Sequence, residues 1–128
     1  MEPTFLALDD VLGIHRRQLE LHGGTAGVRD MGLLESAIAM PAAGFGDEYL
    51  HKDIYEMAAA YLFHIVQNHP FTDGNKRTGA VVAMAFLELN DVEFEITNDQ
   101  LVEFVLAVAE GKMEKPEIAA FFREHSGR

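Results

Sequence analysis

Apolar residues recur at helical spacing along nearly the whole chain. Over residues 53–69, Ile54, Met57, Ala58, Tyr61, Leu62, Ile65 and Val66 fall on one stripe, the pattern of a helix that buries one face. His69 lies four residues beyond Ile65 and extends that stripe. Pro70 ends the helix, because the residue before a proline is pushed out of the α region. A second strong helix is predicted over 75–89, with Val81, Val82, Ala85, Phe86 and Leu89 as its apolar set and Asn90-Asp91 closing it. Weaker patterns predict helices over 5–22, with Asp9 and Asp10 in the first turn, and over 30–40, with Asp30 as N-cap and Pro41 as stop. Thr97 or Asn98 caps a helix through Ala109, and Pro116 suits the first turn of a last helix over 117–125. Residues 42–49 read as a loop or a short helical turn, and 92–96 as an isolated extended piece. About six helices with almost no sheet predict one all-α domain spanning residues 1–128.

Composition narrows the classes. A chain of 128 residues can bury a real core without staples. No stretch reaches the ~20 apolar residues that span a bilayer, and the acidic start MEPTFLALDD lacks the basic region of a secretory signal. Cysteine is absent, which removes disulfides and thiolate chemistry and fits a reducing compartment. Ten Lys and Arg face twenty-one Asp and Glu, for a net charge of -11. That balance argues against nucleic-acid binding, which needs a basic surface. Arg16, Arg17, Lys76 and Arg77 are the candidates for a small local basic site. Enzyme, binding module, toxin-like effector and structural subunit all remain open.

Lys76 and Arg77 are misplaced for an ordinary helix. They open the 75–89 helix, at the end of the dipole where cations are disfavoured. An anion seated there would reverse the sign of the problem, because the first amides of a helix have no intrahelical partner and already point outward. The adjoining turn holds the other parts such a site needs. Gly74 permits close approach or positive φ, Asn75 adds a side-chain donor, and Asp73 is a hard oxygen ligand of the kind Mg²⁺ takes together with phosphates and water. His69 is a candidate general base, its ordinary pKa lying near working pH. Each part has a plainer reading: His69 as a half-buried imidazole bonded to a carbonyl, Asp73 as a turn residue or cap, Lys76 and Arg77 as a solvated face. Phe71 is a core anchor for the loop. The convergence of all of them within nine residues favours the site.

The stretch "HPFTDGNKR", His69 to Arg77, resembles the signature of the Fic/Doc superfamily. The common Fic form carries Gly-Asn-Gly-Arg; Lys76 stands where the second glycine would be, as in the Doc branch. "LHGGTAGVRDMGLLESAIAMP" and "HKDIYEMAAAYLFHIVQNHPF" are similar to Doc as well, so the likeness covers nearly the whole chain. The resemblance implies a bacterial, cytoplasmic toxin of a toxin–antitoxin module. It would be a kinase that moves the γ-phosphoryl of ATP, with Mg²⁺, to a threonine of elongation factor Tu and so blocks translation. AMP transfer of the ordinary Fic type and a non-catalytic binding module are the alternatives. By the same resemblance His69 accepts the target's proton and Asp73 holds Mg²⁺. Gly74, Asn75, Lys76 and Arg77 would cradle phosphate, with Lys76 and Arg77 neutralising its developing charge. The self-inhibiting motif of many Fic proteins is missing, since Leu106 stands where Glu110-Gly111 would need Ser or Thr. Restraint is then expected from an antitoxin whose disordered tail folds into an apolar groove between the early and late helices.

The remaining candidates read more plainly. His64 and His69 are five apart, on different helix faces, which argues against a shared zinc. His15, His22, His51 and His125 default to surface or capping roles. "HGGTAG" is expected to be a helix–helix connection that shapes a rim where a target docks, and Arg16 and Arg17 a solvated face.

Overall fold

The computed structural model describes residues 2–127. Six α-helices carry the fold: α1 Leu8–His22, α2 Met31–Ala39, α3 Ile54–Asn68, α4 Asn75–Leu89, α5 Asn98–Ala109 and α6 Lys115–Glu124. Three of them start at side-chain caps, of which Asp30 and Thr97 were expected and Asp53 was not. Asp30 Oδ1 accepts the Leu33 amide at 3.0 Å, Asp53 Oδ1 accepts the Glu56 amide at 2.9 Å, and Thr97 and Gln100 satisfy each other's amides reciprocally. Such caps are worth ~1 kcal/mol each because they occupy amides that the helix cannot. α1 begins three residues later than its apolar pattern suggested, where Asp10 accepts the Ala7 amide. α6 begins two residues earlier than expected, with Pro116 in its first turn. Pro41 ends α2 by diverting the chain into a 3-10 turn, Met40–Ala42.

α3 is the spine. Eight of its residues are buried, Tyr61, Leu62 and Ile65 completely. It packs on α4, α6 and α2 within one core that runs from Val11 to Phe122. Gly79 makes the α3–α4 approach possible: a Cβ there would lie 3.2–3.4 Å from Leu62, Val66 and Ile65. α3 and α4 are consecutive, so their close packing brings the C-terminus of one and the N-terminus of the other to the same spot. The Phe71 side chain, fully buried, plugs the joint.

The 42–49 segment departs from expectation. It forms a two-stranded antiparallel hairpin, β1 Gly44–Phe45 with β2 Glu48–Tyr49, turning at Gly46 with φ 64°. Strands of two residues carry no readable alternation, so the pattern could not announce them. Residues 92–96 are extended as expected, with a single bridge from Phe94 to Ser126. Among the described residues no helix is long and apolar enough to cross a membrane.

Candidate active site

The loop from His69 to Gly74 joins α3 to α4, and its shape is set by contacts from distant segments. His69 is the C-cap of α3 in the left-handed region, φ 50° and ψ 54°. A non-glycine residue there costs ~1–2 kcal/mol, and Arg29 supplies the compensation. Its Nε donates to the His69 carbonyl at 2.7 Å and its Nη2 to the Asn68 carbonyl at 3.0 Å. These are the orphan carbonyls of the helix end, where a cation is favoured. The strap around Arg29 also pairs with the loop backbone: Arg29 and Asp30 amides donate to Pro70 O, and the Thr72 amide donates to Gly27 O.

Asp73 is exposed, but both carboxylate oxygens are held. The Thr25 amide donates to Oδ2 at 3.1 Å and the Gly74 amide to Oδ1 at 2.9 Å. These bonds, the Thr25 one foremost, hold its carboxyl below the ordinary carboxylate value, with Arg77 and His15 adding to the effect. His15 pins the same residue from beneath. It is buried, stacks on Phe71 with ring centroids 3.7 Å apart, and its Nε2 lies 2.8 Å from the Asp73 carbonyl, to which it donates.

At the start of α4, Gly74 takes φ 80°. Among the described residues the amides of Asn75, Lys76 and Arg77 donate to nothing in the protein; the first amide inside the helix's bonding is Thr78, donating to Gly74 O. Three free N–H groups at a positive dipole end form an anion receptor. His69, Thr72, Asp73, Lys76 and Arg77 line a cavity of about 340 Å³ there, with Ala109 of α5 also on its wall. The geometry thus brings all six predicted residues, His69, Asp73, Gly74, Asn75, Lys76 and Arg77, to one turn. Two of them act differently from expectation. The Gly74 amide is given to Asp73, and the Asn75 side chain is buried and engaged inside the loop, with Phe71 and His69. The part of Asn75 left free to meet an anion is its backbone amide.

Sequence reasoning missed Arg29 and His15, and of the glycine-rich connection it expected a rim but not its hold on Asp73. His15 looked like a surface residue; its partner stands 58 positions away. "HGGTAG" is a helix connection and also part of the site's wall, since Thr25 holds Asp73 and the Gly23 carbonyl lies 3.4 Å from Arg77 Nη2. Gly24 is required there: at φ 126°, a Cβ would lie 2.9 Å from Asp73 Oδ2. His51 is likewise no surface residue. It is buried beside α3 and α6, where Lys115 Nζ stands 3.5 Å from its Nε2 and 3.1 Å from that of His64. Arg17 does belong to a solvated face, in an exposed pair with Glu20.

A second cavity, about 450 Å³, lies between α1, α4 and α5 and shares Lys76 and Arg77 with the first. Val102 and Leu106 on its wall are 51% and 43% exposed. It is the apolar groove expected between the early and late helices.

Fold and site define an all-α domain built around an anion-receptive helix–loop–helix. Residues 5–87 match the model of the Fic/DOC family, and the chain belongs to that family. It is also 41% identical over 71 residues to a protein named Toxin Doc from Mycolicibacterium smegmatis (strain ATCC 700084 / mc(2)155). That alignment covers 56% of this chain and 55% of the relative, so the chain spans about half the length of the protein it matches.

Proposed function

We propose that the chain is the toxin of a toxin–antitoxin module, a kinase that transfers the γ-phosphoryl of ATP to a threonine of elongation factor Tu. One observation carries the reading: three free amides and two cations at the start of α4 meet an ionised carboxylate and an imidazole in one cavity. Phosphoryl transfer asks mostly for positioning and charge stabilisation, which so small a site can supply. The amides of Asn75, Lys76 and Arg77 hold phosphate oxygens, and the Lys76 and Arg77 side chains neutralise charge that develops on them. His69 takes the proton of the threonine hydroxyl as its oxygen bonds to the γ-phosphorus. The bond from that phosphorus to ADP breaks, and ADP keeps the electron pair.

The residues present fit Mg²⁺. Each Asp73 oxygen accepts one amide and keeps a lone pair. Magnesium habitually takes one carboxylate completed by phosphates and water. When bound, the ion would supply charge neutralisation on the phosphates.

The cognate antitoxin is the partner that the groove beside Val102 and Leu106 suits, since a segment seated there would also reach Lys76 and Arg77. ATP labelled at the α or γ phosphorus tests the chemistry. Label from the γ position on elongation factor Tu supports the reading. Label from the α position replaces it with AMP transfer, and binding without any transfer reduces the chain to an interaction module.

A further inference from the structure

One buried amide makes three contacts at the heart of the site. Asn75 Oδ1 accepts the Phe71 amide at 2.9 Å, and its Nδ2 donates to the Phe71 carbonyl at 3.0 Å. The same Nδ2 lies 3.1 Å from His69 Nδ1. The first two contacts decide which way the side chain faces. Turned over, the amide would set NH₂ against the Phe71 N–H and oxygen against the Phe71 carbonyl. Both bonds would be lost, leaving a buried donor and acceptor unmet. The atom that faces His69 is therefore a donor. A nitrogen that faces a donor must hold a lone pair, and a neutral imidazole has only one such nitrogen.

We infer that Asn75 fixes the resting His69 as the tautomer protonated on Nε2, so that its lone pair lies on Nδ1, covered by the Asn75 amide. This deepens the proposed function and rests on it for its consequence. Nε2 is then a donor, suited to an anionic phosphate oxygen. The proton-accepting atom is Nδ1, and it is masked until the ring turns from Asn75 to the target hydroxyl. The hydroxyl proton then moves to Nδ1, giving an imidazolium with a proton on each nitrogen, while the electron pair stays on the target oxygen. Arg29 holds the His69 carbonyl throughout, so the exposed ring can rotate without disturbing the backbone. Asn75 is thus a positioning residue for the base.

The test is a two-bond proton–nitrogen correlation spectrum of the full chain with ¹⁵N-labelled histidine, recorded at alkaline pH. Six histidines contribute, and His69→Gln assigns the one in question. The expected result is a bare Nδ1 and a protonated Nε2 on His69. In Asn75→Asp an acceptor replaces the donor, and the proton should move to Nδ1. A protonated Nδ1 in the unaltered protein overturns the inference, as does an unchanged tautomer in folded Asn75→Asp. Should that variant fail to fold, the unaltered spectrum still decides. The readout needs no nucleotide, so failure here leaves the transfer reaction standing, and absence of transfer leaves the tautomer standing.

Discussion

His69, the proposed base, sits in the left-handed backbone region, and the residues that hold it are open to direct test. His69→Ala should abolish transfer and growth arrest while calorimetry with ATP and Mg²⁺ shows affinity within a few-fold of the unaltered protein; retained arrest would remove the base assignment. Arg29→Met removes two charged hydrogen bonds to the end of α3, so chemical denaturation should show a loss of ~2–3 kcal/mol, with Arg29→Lys recovering part of it. Lys76→Gly should shift label on the target from the γ to the α phosphorus of ATP or end transfer altogether. Unchanged γ-transfer would show that Lys76 does not orient the nucleotide. The six predicted site residues were legible because they crowd one turn of sequence. Arg29 and His15 were not, because nothing local distinguishes an arginine before a cap, or a histidine on a helix, from a solvated one. Their roles arise from the chain returning to the loop after about forty and about sixty residues.

The elements were legible where a cap or a proline marked their ends. α3 and α4 show this best: the apolar stripe from 53, Pro70 and the closing Asn90-Asp91 placed their limits to within a residue. The hairpin at Gly44–Phe45 and Glu48–Tyr49 was not, since its strands are too short for a period. The connection between α1 and α2 was legible as a break but not as a wall of the site. Gly24→Ala tests that wall. Its Cβ would meet Asp73 Oδ2 and the Leu19 side chain at 2.9 Å, at a φ that side chains rarely adopt. Transfer should fall at least tenfold with the far-ultraviolet circular dichroism of α1 to α6 unchanged. Full activity in this variant would mean that Thr25 and its neighbours do not shape the Asp73 carboxylate.

At the scale of the whole molecule, the all-α class followed from period alone, whereas the packing of α6 on α3 brought together charges the sequence kept apart. His51, His64 and Lys115 meet there. Burial, then the Lys115 charge, lowers His64 from 6.5 to about 4 and lowers His51 as well. For His51, Glu56 and the Pro41 carbonyl act in the opposite direction, although that carbonyl falls outside hydrogen-bonding geometry. Folding therefore opposes protonation of both rings. The His64 contribution to stability is full above pH 6.5 and drains as pH falls toward 4, and the His51 contribution drains in the same direction. Denaturation midpoints at neutral and mildly acid pH should show this loss, and His64→Gln should flatten it; an identical slope in the variant would remove the cluster from the account. The central claim is that the start of α4 receives a nucleotide's phosphates. Its most direct test is an amide proton–nitrogen spectrum recorded as ATP and Mg²⁺ are added. The account predicts saturable shifts of the Asn75, Lys76 and Arg77 amides; stationary amides at these three residues, with shifts confined to other helices, would contradict it.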